Sequence, residues 1–322
     1  MPLTRAYRDG RLIAEGFPIT AVSDHLADEH TTVWFDLCAP DPGELATIRE
    51  ELGLHELAVE DALSERQRPK LDHYEHHLFL AAHAVYLEPH GELAVAEVAA
   101  FITPQALVTV RKSERFDIAE VLQRWDGTAE VPADTLAYLL HGLLDYVVDT
   151  HFAVAQTLDD AIDELEDQLF SDAPTERDMQ RRNYALRKSL ARLRRVVLPM
   201  REVINTLLRR DLKIVGTDMA PYFQDVYDHV LRAEEWTDSL RDLVSNIFET
   251  SMTLRGNRLN VIMKQVTSWA AIIAVPTAVT GFYGQNVPYP GFGRVSGFWL
   301  SSAIILGLSG LLYLVFRKRD WL

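Results

Sequence analysis

The sequence predicts an α+β cytoplasmic domain followed by a long stalk helix and two transmembrane α-helices. Three observations carry this. Two charge-free apolar stretches, each near the length a bilayer needs, stand close together near the C-terminus. A helical pattern with almost no breakers runs into the first of them, and β-rich runs are confined to the stretch from Met1 to about Glu130.

The opening MPLTRAYRDGRL has no uninterrupted apolar run, so no cleaved secretory signal is expected. Within residues 1–132, strands are predicted at Thr32 to Leu37, His77 to Tyr86, Ala94 to Ile102 and Ala106 to Arg111. Turn signals such as Glu88-Pro89-His90-Gly91 separate them, and the whole reads as a small α/β domain. After Pro132 the pattern becomes helical, with Leu136, Leu139, Leu140, Leu143 and Leu144 at spacings of three and four. Residues 133–218 form a helical hairpin region. Pro174 separates an acidic helix (Asp159, Asp160, Asp163, Glu164, Glu166, Asp167) from a basic one (Arg177, Arg181, Arg182, Arg187, Lys188, Arg192, Arg194, Arg195). Charge pairing across an antiparallel hairpin is the expected reason for both runs. Leu186, Leu190 and Leu193 interleave the basic run at helical spacing, which argues against a nucleic-acid patch.

Residues 219–283 read as a stalk helix that continues into the first span, on the order of 90 Å long. That span is Val266 to Tyr283, VTSWAAIIAVPTAVTGFY; an external loop at 284–297 leads to the second at 298–316, FWLSSAIILGLSGLLYLVF, and residues 317–322 form a basic tail. Arg255, Arg258 and Lys264 precede the pair and Arg317, Lys318 and Arg319 follow it, which places both termini in the cytoplasm. A net charge of −15 disfavours nucleic acid and favours cations as charged partners. Cys38 is the single cysteine, so no intrachain disulfide forms and a reducing cytoplasm suits the chain. No phosphate-binding Gly-rich loop and no acid–base or nucleophile arrangement marks an enzyme.

Stepping along the stalk helix by threes and fours gives Glu249, Thr253, Gly256, Asn260, Met263, Thr267, Ala270, Ala274, Thr277 and Gly281. The line is small or polar but for one Met. The neighbouring faces carry Ile262, Val266, Trp269, Ile272, Ile273 and Val279, which suit lipid or the other span. A repeat of 3.5 residues belongs to a symmetric bundle. Small residues there suit close helix packing in lipid or the lining of a pore. For a pore, Asn260, Thr267 and Thr277 supply oxygens at successive levels and Glu249 a carboxylate at the cytoplasmic end. Two spans cannot enclose a pore, so such copies must form a ring.

The run Gly281-Phe282-Tyr283-Gly284-Gln285-Asn286 resembles the signature of the CorA magnesium transporters, usually Tyr-Gly-Met-Asn. Further matches are Glu60-Asp61-Ala62 with Gln67-Arg68-Pro69-Lys70-Leu71, the stretch from Pro221 to His229, and the basic-Trp-Leu ending at Trp321-Leu322. The resemblance implies an α/β/α sandwich in the cytoplasmic domain and a funnel-shaped homopentamer in the cell membrane, with the first span lining the pore. It implies that Asn286 faces the external mouth and holds hydrated Mg²⁺ through its amide oxygen. Tyr283, Gly284 and Gln285 share that mouth, with Gly281, Thr277, Met263 and Asn260 as inner rings. It further implies regulatory metal between subunits, with Glu88 and Asp225 as the carboxylate pair. The expected activity is gated influx of Mg²⁺, with Co²⁺ and Ni²⁺ as further cargo.

Gln285 stands where the family has Met, and the loop from Val287 to Gly297 has no carboxylate. Proton-coupled Zn²⁺ transport, as in a zinc-transporting branch of the superfamily, and a non-conducting membrane-anchored metal sensor are therefore the alternatives. His73, His76 and His77 have helical spacing, but they precede an apolar strand and are expected at a surface or interface rather than on zinc.

Overall fold

The computed structural model describes residues 3–64, 67–89, 91–127, 134–169, 176–209, 214–285, 287–289 and 291–322. Asn286, Pro132, Pro174 and His90 lie outside the described residues. The chain divides into two compact units, Met1–Ser245 and Asn246–Leu322.

The first unit is built on a seven-stranded sheet: β1 (Leu3–Arg8), β2 (Arg11–Glu15), β3 (Thr31–Cys38), β4 (Lys70–His73), β5 (Leu78–Leu87), β6 (Leu93–Ile102) and β7 (Ala106–Arg111), in the order β2-β1-β3-β7-β6-β5-β4. Neighbours are antiparallel except β3 and β7, which run parallel. Four strands match the sequence expectation to within a residue, while β1, β2 and β4 were not expected. β1 and β2 form a hairpin around Asp9 and Gly10, both with positive φ (48° and 76°), the left-handed pair that a two-residue hairpin turn requires.

Period-two alternation sends side chains of each strand to opposite faces. Val33, Phe35, Val108, Val110, Phe79 and Phe101 face one helical layer, α1 (Val22–Leu26), α2 (Pro42–Leu52) and α3 (Glu56–Leu63), and form a core with its Leu45, Ile48 and Ala58. α2 has its ends written locally. Asp41 accepts from the Glu44 amide at 2.8 Å while the Glu44 carboxylate accepts from the Asp41 amide at 3.2 Å, Pro42 opens the first turn, and Gly53 closes the last with φ +63°.

The opposite sheet face packs on α4 (Ile118–Asp126) and α5 (Thr135–Leu169), completing an α/β/α sandwich. Trp34 of β3 meets Trp125 of α4 edge to face at 4.9 Å. Trp125 donates its indole N–H to the Leu139 carbonyl at 3.2 Å, and a Cβ on Gly142 of α5 would stand 2.5 Å from that indole nitrogen. Also on this face, Arg111 grips Asp36 with two guanidinium nitrogens (2.6 and 2.9 Å), and Thr109 donates to the same carboxylate at 2.8 Å; all three are buried. His83 of β5 and His151 of α5 are buried neighbours, His151 Nε2 donating to the His83 carbonyl at 2.8 Å. Burial pushes both imidazoles down to about 4.

α6 (Glu176–Leu207) returns beside α5, but the expected charge pairing is mostly not between them. Among the described residues one ion pair joins the two helices, Arg182 to Glu164 at 3.5 Å. The basic helix spends other cations elsewhere: Lys188 on Glu92 (2.8 Å), Arg194 on Asp238 (2.7 Å) and Arg201 on Glu234 (3.1 Å). Helix α6 buries its leucines, and these three cations reach carboxylates outside the hairpin rather than on the facing helix.

His73, His76 and His77 belong to a tight β4–β5 turn, with the Tyr74 amide donating to the His77 carbonyl at 2.9 Å, and not to a helix. The turn separates them: His73 and His76 are exposed, while His77 is buried and stacks on Tyr74 at 4.9 Å. The surface placement expected of all three therefore fails for His77.

Candidate functional site

One helix, α7 (Ala220–Tyr283), 64 residues long, carries nearly all the residues singled out from the sequence. At about 1.5 Å per residue it measures roughly 96 Å. In the first unit it buries Phe223, Val226, Val230, Ala233, Thr237, Leu240 and Val244, at alternating steps of three and four.

In the second unit α7 is joined by α8 (Val295–Lys318), and both are long and apolar enough to cross a membrane. Trp321, just past α8, lines a cavity of about 530 Å³ with Asn257, Asn260, Met263, Lys264 and Thr267 of α7, so the two helices run antiparallel. α7 half-buries Ala271, Ile272, Val275, Val279 and Tyr283 and fully buries Ser268. Among the described residues, the hydroxyls of Ser268 on α7 and Ser309 on α8 are buried with no hydrogen-bond partner.

The line read from the sequence lies away from Ser268, Ile272, Val275 and Val279, although its Asn260, Met263 and Thr267 also border the cavity beside Trp321. Glu249, Thr253, Gly256, Asn260, Met263, Thr267, Ala270, Ala274, Thr277 and Gly281 are all exposed. Of the faces assigned to lipid or the other span, Ile262, Val266, Trp269 and Ile273 are exposed, and Ile272 and Val279 are half-buried. The hydroxyls on the line are oriented by the helix itself. Thr253 donates to the Glu249 carbonyl at 3.0 Å and Thr277 to that of Ile273 at 3.1 Å. With their protons committed to the backbone, these oxygens present only lone pairs outward, which suits cations and the hydrogens of their hydration water.

Past Tyr283 the helix closes with the Gly284 amide donating to the Thr280 carbonyl at 2.8 Å. A Cβ on Gly284 would approach that oxygen to 2.9 Å, so the position needs glycine. Tyr283 packs edge to face on Tyr289 at 4.9 Å, and Tyr289 on Phe292 at 5.2 Å. This aromatic cluster braces the segment on which Gln285 is exposed. Tyr289 and Phe292 were not read as functional from the sequence, although their alternation with Pro and Gly in a charge-poor loop was the available signal.

Glu88 and Asp225 take different partners in the single chain. Glu88, in the β5–β6 turn, pairs with Arg115 at 2.7 Å; Asp225, on the exposed side of α7, lies 3.8 Å from His229. Among the described residues no three His, Cys, Asp or Glu side chains are assembled to hold a metal within one chain. Both carboxylates remain accessible.

α8 ends in a closed cap that the sequence reading did not anticipate. Asp320 takes φ +53°, its amide donates to the Arg317 carbonyl at 3.3 Å and the Trp321 amide to that of Phe316 at 2.9 Å, while the Phe316 and Trp321 rings stack at 5.7 Å. This is the Schellman arrangement with its apolar clasp.

A sheet domain followed by a helix that becomes one of two paired apolar spans, with an oxygen-lined face left open, defines a membrane transport protein. The chain belongs to the CorA-like Mg²⁺ transporter protein family, whose model matches residues 29–318. The Bacillus subtilis protein YfjQ is 30% identical over 280 residues, covering 85% of this chain and 86% of that protein. The cobalt/magnesium transport protein CorA of Thermotoga maritima is 28% identical over 300 residues, covering 92% and 85%. The complete structure of the CorA magnesium transporter from Methanocaldococcus jannaschii superposes with a TM-score of 0.83 at 22% identity, covering 100% of this chain and 99% of that one.

Proposed function

We propose that five copies of this chain form a gated pore through which Mg²⁺, and also Co²⁺ and Ni²⁺, enter the cell down the electrochemical gradient. The observation that carries this reading is the exposed line on α7. Ten positions at the spacing of a symmetric bundle are left open by the single chain, and the apolar residues on flanking faces are where a neighbouring helix or lipid would cover them. In this reading residues 1–132 and 133–218 form the cytoplasmic body, 219–283 the stalk and pore helix, 284–297 the external loop, 298–316 the outer span and 317–322 the basic cytoplasmic tail. The cations before α7's apolar segment and at the C-terminal end of α8 support cytoplasmic termini.

Asn286, with Tyr283, Gly284 and Gln285, forms the outer mouth and binds the hydrated ion through an amide oxygen. A small cation that dehydrates reluctantly is thus held by its waters. Below it Gly281, Thr277, Ala274, Ala270, Thr267, Met263 and Asn260 line the path, with Glu249 at the inner end. An inside-negative potential contributes about 2.3 kcal/mol per charge per 100 mV, so a divalent ion needs no chemical fuel. Glu88 of one copy and Asp225 of the next repel when empty and are bridged by a divalent ion, so cytoplasmic metal favours the closed ring.

The test is uptake into proteoliposomes at fixed inside-negative potential, comparing the intact chain with Asn286→Ala and running Zn²⁺ and a pH gradient in parallel. Mg²⁺ entry that requires Asn286 and ignores the pH gradient is the expected result. Zn²⁺ entry driven by protons would move the chain to zinc transport, and flux that is absent in both forms would leave a metal sensor.

A further inference from the structure

The hairpin of α5 and α6 carries two charged rows of opposite sign that its own chain leaves unpaired. α5 buries Leu158, Ile162 and Leu165 and turns Asp160, Asp163 and Asp167 to solvent on the other side. α6 buries Leu186, Leu190, Leu193 and Val197 and turns Arg177, Arg181 and Arg195 outward, with Tyr184 71% exposed among them. At 3.6 residues per turn each row is centred opposite its helix's buried stripe. Among the described residues these three aspartates and three arginines have no partner in the chain; the ion pair between the helices is made by Glu164 and Arg182 instead.

Like charges three or four residues apart on a helix repel, so each row is a local cost in an isolated copy. A closed ring joins identical copies through heterologous contacts, in which one face meets a different face, whereas a two-fold dimer needs a single self-complementary patch. Two distinct rows of opposite sign allow the acidic row of one copy to meet the basic row of the next, the kind of contact a ring uses. We infer that the acidic row on α5 of one copy docks against the basic row on α6 of the next, with Tyr184 packing between them. Anionic lipid or nucleic acid would relieve only the basic row; a second copy relieves both. The inference rests on the ring proposed above and identifies a contact surface in its cytoplasmic part.

The test uses full-length chains in a Cys38→Ser background, one tagged copy carrying Asp163→Cys and a differently tagged copy carrying Arg181→Cys, co-expressed in membranes and oxidised. A two-chain species bearing both tags is expected. Independently, Arg177→Glu with Arg181→Glu should weaken association by about three- to a hundredfold, the range of a few surface ion pairs. Adding Asp163→Lys and Asp167→Lys to the same chain should restore it, which also excludes a folding failure. Wild-type association should weaken as salt rises from about 0.1 to 1 M and the Debye length falls from about 10 to 3 Å. Rings that form with no mixed-tag species, no effect of reversal and no salt dependence would overturn this surface alone. Chains that stay monomeric in membranes would overturn the ring, and the surface with it.

Discussion

Acidification should destabilise the sheet domain through His83 and His151, and the size of the effect follows from their burial. Both imidazoles are held at about 4 against an ordinary value of 6.5, first by burial, and in His83 also by the neighbouring His151. A depressed pKa means that the unfolded chain binds the proton more readily. The stability is therefore fully present above pH 6.5 and is lost as pH falls from 6.5 towards 4. At pH 5 the linkage amounts to about 2 kcal/mol for each histidine relative to pH 7.5, or about 4 kcal/mol together, a large share of the roughly 5–15 kcal/mol of a typical domain. For a unit of this size 1 kcal/mol moves the thermal midpoint by about 2–4 °C. His151→Gln keeps a donor for the His83 carbonyl and removes one titration. Followed by tryptophan fluorescence in detergent, its midpoint should fall about 4–8 °C less between pH 7.5 and pH 5 than that of the unmodified chain. Equal falls in the two proteins would refute the assignment of acid sensitivity to this buried pair.

Three further outcomes are expected. Gly142→Ala drives a methyl into the Trp125 indole and should lower stability by about 1–3 kcal/mol despite alanine's better helix propensity, read as a lower unfolding midpoint. Asp36→Ala leaves the Arg111 guanidinium buried and unpaired and should cost about 3–5 kcal/mol, while the double variant Asp36→Leu, Arg111→Met should lose less than the single one in the same assay. Asp320→Gly removes the strain of a left-handed non-glycine residue at the end of α8, and the Trp321 amide should exchange its hydrogen about fivefold more slowly, as expected for about 1 kcal/mol.

What the sequence made legible was the part governed by periodicity. The alternating strands β3, β5, β6 and β7, the exposed line on α7 and the two apolar spans each repeat one pattern long enough to be read. β1 and β2 escaped because Leu3–Arg8 buries Thr4 and Arg5 rather than an apolar alternation; Arg5 is satisfied by Asp126 at 2.8 Å, a partner 121 residues away. The Asp9-Gly10 turn was the signal that could have revealed them. The basic run on α6 misled for a related reason. Composition shows that charges are present, but only the fold shows that Lys188 reaches Glu92 and Arg194 reaches Asp238. The carboxylates Glu88 and Asp225 came from resemblance, and no local pattern could have joined them, since within one chain they have separate partners.

Pro276 sits inside α7 and interrupts nothing visible in its course. Its ring nitrogen has no hydrogen, so the carbonyl of Ile272 one turn earlier loses its helical donor. In hydrocarbon an unanswered carbonyl costs several kcal/mol, whereas water or a neighbouring hydroxyl answers it at little cost. An α7 wrapped entirely in acyl chains is therefore a poor guest in the bilayer. The proline makes an outside donor for this carbonyl, from water or from a neighbouring side chain, part of the thermodynamics of the helix's insertion, before any ion is present.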